Sequence, residues 1–308
     1  MIQWLDKYFF KPNFWQKILI FLLLPFSYIY ALIAIVNTKI RSKISFDIPI
    51  ISIGNLTLGG NGKTPICKAI AKIFENKKTF IILRGYKRKG KDLKIIKSNN
   101  QIFYNVDESG DEAMEYALNP YIYGVIVSID RTRAIKLAIE QNAELVLLDD
   151  AFSKFHINKF DILLESAQKP YYDFTLPSGM YRLPLYYRSK ANYIAIENID
   201  FIRHSKVKYT KNTILISSIA KPFRLSKYLN KVKAYYFFSD HYKFTKNQLQ
   251  KLLLKHNCDT FMLTLKDYVK IKDFGFKINI IELDIELKEK FKNTIKSYVE
   301  KFDEPSKY

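Results

Sequence analysis

The chain has 308 residues, 48% hydrophobic and 26% charged, and its 50 basic and 30 acidic side chains give a net charge of +20. That is ample apolar material for the packed cores of about two domains, and two cysteines, Cys67 and Cys258, exclude a disulfide framework or a cysteine-built metal cluster. Charge of this sign suits nucleic acid, or an anionic membrane with anionic substrates; no zinc-finger spacing or RNA-binding aromatic signature accompanies it.

Residues 18–36 carry no charged side chain. The run is long enough to cross a bilayer, which takes roughly 20 residues. Lys7, Lys11 and Lys17 precede it, Lys39, Arg41 and Lys43 follow it, and Trp4, Trp15, Tyr28 and Tyr30 supply interfacial aromatics. Basic residues on both flanks suit a helix lying in the plane of a cytoplasmic membrane face better than an oriented span; a buried helix of a soluble protein is the alternative. Beyond residue 46, apolar runs alternate with helical spacing. Strands are predicted over 48–53, 79–83, 125–128, 145–149, 162–165, 193–197, 213–217, 233–238, 260–265 and 278–283. Helices are predicted over 65–74, 112–118, 131–141, 225–229, 246–256 and 286–302. This order predicts α/β layers with parallel sheets. A polar, basic stretch near 200–212 marks a boundary.

The stretch GNLTLGGNGKTP at 54–65 falls between a predicted strand and a predicted helix, the setting a phosphate loop requires. Gly59, Gly60 and Gly62 let backbone N–H groups turn toward an oxyanion at a helix N-terminus. Lys63 can reach the terminal phosphates, and the Thr64 hydroxyl can bind Mg²⁺. Thr57 stands where the strict pattern has glycine. The apolar run 145–148 ends in Asp149 and Asp150, carboxylates placed to hold Mg²⁺ or to cap a helix. Asp111 opens a predicted helix within Ser-Gly-Asp-Glu, which fits a cap or a base. His241 follows Asp240 past a strand end, and Arg84 and Arg182 can contact phosphates.

Taken in order, GNLTLGGNGKTP, LRGYKRK, SGDE, LLDDAF, LPSGMYR, SSIAKP, FSDH and LTLKD resemble the tetraacyldisaccharide 4′-kinases of lipid A biosynthesis, from the N-terminal apolar segment to about Asp267. Threonine at position 57 and proline after Lys-Thr are features of that family. The resemblance implies an α/β fold: a phosphate-loop NTPase-like lobe with a parallel sheet (46–205), a second smaller α/β lobe with a C-terminal helix (206–308), and a membrane-associated N-terminal helix (1–45). The site is expected between the lobes. The implied reaction is transfer of the ATP γ-phosphate to the 4′-hydroxyl of an acylated glucosamine disaccharide 1-phosphate, giving lipid IVA at the cytoplasmic face of the inner membrane of a Gram-negative bacterium. No nucleic acid or obligate protein partner is implied.

By the same resemblance Thr57, Gly59, Gly60, Asn61, Gly62, Lys63 and Thr64 bind ATP. Thr64, Asp149 and Asp150 hold Mg²⁺, Asp111 is the base with His241 as its partner, Lys63 is catalytic as well as ATP-binding, and Arg182 is an active-site arginine. Ser153, Leu183 and Leu265 depart from the family's usual Gln, Glu and Glu. A phosphate-loop NTPase switching a partner protein is the rival reading. It accounts for the loop but not for the apolar segment together with Asp111 and His241.

Overall fold

A computed structural model describes residues 2–40, 42–59, 62–86, 88, 90–166, 168–208 and 212–303. In chain order the elements are α1 (Ile2–Phe10), α2 (Phe14–Leu22), α3 (Leu24–Lys39), β1 (Ile50–Gly54), α4 (Lys63–Ile73), β2 (Thr79–Leu83), β3 (Lys94–Ser98), β4 (Gln101–Ile102), α5 (Val106–Ser109), α6 (Asp111–Ala117), β5 (Gly124–Val127), α7 (Arg131–Glu140), β6 (Leu145–Asp149), β7 (Phe160–Glu165), β8 (Tyr193–Ile196), β9 (Phe201–Lys206), β10 (Thr213–Ser217), β11 (Ala234–Phe237), α8 (Lys246–His256), β12 (Thr260–Thr264), α9 (Leu265–Ile271), β13 (Lys277–Leu287) and α10 (Glu289–Glu300). The predicted α/β alternation is present, in sheets that are mixed but mostly parallel.

The uncharged N-terminal run is not one helix. It breaks between α2 and α3, which meet at a 52° bend, and no single described helix is long and apolar enough to cross a membrane. Pro25 accounts for the break. It sits in the first turn of α3, where its missing N–H is tolerated, and its ring would clash with the turn of a helix continuing from α2. The helix expected at 225–229 is part of a 3₁₀ stretch, Pro222–Lys231. The C-terminal helix begins later than its apolar pattern suggested, because β13 runs on to Leu287.

The chain sorts into two compact units, each drawn from separated segments: Met1–Lys63, Ala143–Ile202 and Leu287–Tyr308 in the first, Thr64–Asn142 and Arg203–Glu286 in the second. In the first, strands run in the order β6-β1-β7-β8, all parallel. Every residue of β1 and β6 is buried, as expected of parallel strands covered on both faces. α10 buries Phe291, Ile295 and Val299 along one face, stacks Phe291 on Tyr193, and donates the Tyr298 hydroxyl to the Ile50 carbonyl at 3.0 Å. Ser27 of α3 is also buried. Its hydroxyl accepts the Ser178 N–H at 2.9 Å, and its carbonyl accepts the Thr175 hydroxyl at 2.8 Å.

In the second unit one group of strands runs β4-β3-β5-β2, with β3 antiparallel to both its neighbours and β2 parallel to β5. A separate five-stranded sheet runs β11-β10-β12-β13-β9. Ile214, Ile216, Phe261 and Leu263 form a core there with Leu249 of α8 and Ile271 of α9. α6 packs against α9. Truncating any of these fully buried side chains to alanine costs about 2–5 kcal/mol.

Candidate active site

The buried strand β1 delivers the chain to Asn55, which is 3% exposed. Gly54 is needed at this exit, because a Cβ there would sit 2.5 Å from the Cβ of Phe152. The Asn55 side chain uses both ends. Its Nδ2 donates to the carbonyls of Thr57 (2.7 Å) and Gly59 (3.4 Å), which holds the loop curled. Its Oδ1 accepts from Lys63 Nζ (3.1 Å) and Arg182 Nη2 (2.6 Å). Gly59 and Gly62 have φ of 100° and 79°, the region that favours glycine. Residues 56–58 lie alongside 180–182: Leu58 donates to the Met180 carbonyl and Arg182 to the Leu56 carbonyl, at 2.9 and 2.7 Å.

Arg182 therefore reaches the loop by backbone and side chain. Its guanidinium grips Asp150 with two bonds of 2.9 and 3.0 Å, and Lys63 Nζ lies 3.4 Å from the same carboxylate. Burial would raise the Asp150 carboxyl, but the Arg182 hydrogen bond and the Lys63 charge outweigh it and hold it well below the usual range. Asp150 sits just past β6 with φ of 53°, while Asp149 ends that strand and is 4% exposed. Lys63, Arg182 and Asp150 are thus brought together around Asn55, with Thr57 and Gly59 in the same loop. Thr64 follows Lys63 in the first turn of α4, half-buried. Gly60 and Asn61 lie outside the described residues. Leu183 is buried with Leu56, Phe152 and Tyr187 in an apolar cluster, and Ser153 is exposed.

A second group of site residues is built within the second unit. Gly110 precedes α6 at φ of 85°, and a Cβ there would lie 3.3 Å from the Tyr86 carbonyl. The first helical residue is Asp111, 7% exposed. Its carboxylate accepts the Glu112 N–H at 3.0 Å and lies 2.8 and 2.9 Å from His241 Nδ1. His241 has φ of 60°, donates its N–H to the Ser218 carbonyl, and is covered by the Tyr86 ring, edge-on at 5.4 Å. Burial would raise Asp111, but the His241 hydrogen bond and the charges around it, Lys266 first and Lys270 after, bring it down to about 2. This carboxylate is ionised at neutral pH and fixed in direction.

Three residues around this pair have no role assigned by the sequence: Lys266 and Asp267 fall within LTLKD, and Lys270 lies beyond it. Lys266 Nζ lies 3.4 Å from His241 Nε2 and 3.1 Å from Asp240 Oδ1. Lys270 Nζ lies 3.5 Å from Asp111 Oδ2, 2.6 Å from Ser218 Oγ and 3.2 Å from Asp267 Oδ1. Asp267, fully buried, accepts hydrogen bonds from the Ser217, Ser218 and Thr264 hydroxyls. A lysine one helical turn beyond another, both next to acidic groups, is the pattern that marks them in retrospect. Asn55, within the loop motif, likewise has no role assigned by the sequence, although a polar residue directly after a buried strand has to find partners.

The first group offers a curled loop, a lysine and an arginine, the chemistry of phosphate binding. The second offers a carboxylate–imidazole pair, the chemistry of proton acceptance. Comparison with known proteins points the same way. The family LpxK, tetraacyldisaccharide-1-P 4'-kinase, matches residues 19–212 and 200–300. A tetraacyldisaccharide 4'-kinase of Campylobacter jejuni is 59% identical over 98% of this chain and 97% of its own. That of Aliarcobacter butzleri is 41% identical over 97% and 98%. The crystal structure of LpxK from Aquifex aeolicus in complex with ATP superposes with a TM-score of 0.77 at 25% identity, covering 91% of this chain and 99% of that one.

Proposed function

The chain belongs to the tetraacyldisaccharide-1-phosphate 4′-kinase family, and from that premise we propose how its residues divide the work. It is an ATP-dependent kinase of lipid A biosynthesis that phosphorylates the 4′-hydroxyl of a tetraacyldisaccharide 1-phosphate. The loop N–H groups from Thr57 to Thr64 and the Lys63 ammonium bind the ATP phosphates, and Arg182, steered by Asn55 and Asp150, balances charge on the transferred group. Thr64, Asp149 and Asp150 would hold Mg²⁺: the donors are all oxygen, the set this ion takes. Bound there, Mg²⁺ supplies positive charge to the phosphate oxygens.

Asp111 is the base. As the substrate oxygen bonds to the γ-phosphorus and the bond to ADP breaks, the hydroxyl proton passes to the Asp111 carboxylate, with His241 Nδ1–H orienting it. A carboxylate lowered to about 2 is a weak base; it suffices because the loose transition state of phosphoryl transfer needs the proton removed late. The Asp111–His241 contact at 2.8 Å carries this reading: a carboxylate held in one direction by an imidazole can take the proton of an acceptor hydroxyl.

The N-terminal helices seat the enzyme on the cytoplasmic face of the inner membrane of a Gram-negative bacterium. Phe14, Trp15, Leu22 and Tyr28 are each at least two-thirds exposed, and Lys7, Lys11 and Lys17 add attraction to anionic lipid. The test is ADP release with and without the lipid disaccharide 1-phosphate. Lipid-dependent release, with phosphate on the 4′-hydroxyl, is expected; equal release without lipid would return the phosphate-loop switch.

A further inference from the structure

The two nitrogens of His241 face different chemistry. Nδ1 lies 2.8 Å from the ionised Asp111 carboxylate, which can only accept, so Nδ1 carries a proton. Nε2 lies 3.4 Å from Lys266 Nζ, which can only donate, and 3.5 Å from Asp240 Oδ2, which can only accept. Lys266 and Asp240 are themselves paired at 3.1 Å, and Glu112 Oε1 is 3.7 Å from the lysine on another side. Tyr86 covers the ring.

On the Asp111 side, Lys270 stands 3.5 Å from the oxygen that accepts the His241 proton. It is fixed from behind by Ser218 and the saturated carboxylate of Asp267. Ser218 in turn accepts the His241 backbone N–H. One buried acid thus anchors both the lysine behind Asp111 and the turn that presents His241.

We infer that Lys266 is a positioning residue for the reaction: its ammonium occupies the Nε2 lone pair of His241 and so keeps the ring singly protonated on Nδ1, aimed at Asp111. This rests on the reading of Asp111 and His241 as the proton-accepting pair. A singly protonated ring beside an ionised carboxylate leaves the pair able to take up the substrate proton. A doubly protonated ring, its Nε2–H turned to Asp240, has already taken one up. Burial would lower Lys266, but the charges of Glu112, Asp111 and Asp240 raise it instead, so it remains a charged donor. Stability does not account for the arrangement, because desolvating several charges at one buried spot returns little net stability even when they are paired.

The test uses the full chain with ATP, Mg²⁺ and the lipid disaccharide 1-phosphate in mixed micelles, together with ¹⁵N NMR of the four histidines; the His241 signal is assigned by its loss in His241→Gln. The native protein is expected to show the Nδ1–H tautomer at pH 7. Lys266→Met is expected to gain a proton on Nε2, to lose about tenfold in kcat and to keep its KM for ATP; Lys266→Arg restores both signals. A Lys266→Met enzyme with a native His241 spectrum, or a loss of kcat that only follows a lowered melting temperature, overturns the inference. If Lys266→Met does not fold, the native spectrum decides alone: a proton on Nε2 rules the inference out. Asp111→Ala is assayed beside it. Should that variant turn over normally, the base assignment itself fails. If it collapses while Lys266→Met stays native in spectrum and rate, only the present inference fails.

Discussion

The group around Lys63 and the group around Asp111 solve opposite problems with similar side chains. Around Lys63, two cations share one carboxylate, Asp150, whose side chain is 41% exposed. Both cations lean on that one half-exposed group, and an incoming anion can reach them. Around Asp111, two lysines stand among Asp111, Glu112, Asp240 and Asp267, most of it out of solvent. The excess there is negative, and almost every donor and acceptor already has a partner. A phosphate site has to leave part of its charge unanswered, whereas a base has to be held in one place and one ionisation state. The difference between the groups lies in how completely the charges are satisfied.

The largest effect that separates them comes from Lys63→Ala, which is expected to lower transfer by about 10³-fold or more while the melting temperature holds. Near-native turnover in a folded variant would remove the first group from the phosphates. Asp111→Ala is expected next, at about 10²–10⁴-fold in turnover with ATP affinity little changed, because the carboxylate is proposed to meet the acceptor and not the nucleotide. His241→Ala costs less. The double variant costs less than the product of the two, since the pair acts as a unit; independent, multiplicative losses count against the pair. Were Asp111 only a helix-end residue, its loss would show as about 1 kcal/mol of stability with turnover intact.

Asn55→Ala sharpens the contrast on the other side. Freed of its shared oxygen, Lys63 and Arg182 lose their fixed aim, and the loop loses two bonds. Here kcat/KM for ATP is expected to fall about tenfold, chiefly through KM. An unchanged KM would mean that the loop holds its shape without the amide. The smallest effect is on acid stability. Asp111 titrates near 2 in the folded chain, below its ordinary 3.8, so its contribution is complete above 3.8 and is lost as pH falls through 2. Asp111→Asn should therefore flatten the melting profile between pH 4 and 2, by on the order of 2 kcal/mol. A profile as steep as the native one would place the acid sensitivity elsewhere.

Much of the fold could be read from apolar runs. The strands Thr79–Leu83, Leu145–Asp149 and Thr213–Ser217 fall where they were expected, since fully buried parallel strands are continuous hydrophobic stretches. β3 was missed because lysines interrupt it; Lys97 is nevertheless buried, its ammonium satisfied by the Asn119 carbonyl at 2.9 Å. β9 was missed because its alternating polar residues read as a boundary. At the site, motif order singled out Lys63, Asp150, Arg182, Asp111 and His241, but no spacing along the chain shows that Asn55 joins Lys63 to Arg182 or that α9 turns two lysines toward Asp111 and His241. Such contacts are set by tertiary packing, between residues as far as 130 positions apart.

Ser27 changes what the N-terminal helices are for. Its two hydrogen bonds reach the segment at 175–178, only a few residues before Arg182 along the chain. Tyr8 adds a third tie, its hydroxyl donating to the Pro177 carbonyl at 3.2 Å. The helices therefore brace the segment that leads to the arginine, in addition to the membrane contact proposed for them. A chain cut free of residues 1–43 loses both at once, so its solubility and its activity do not report on one cause. Ser27→Ala in the intact chain removes the brace from the serine hydroxyl and leaves the apolar face alone; only such a version tells mechanical support from attachment.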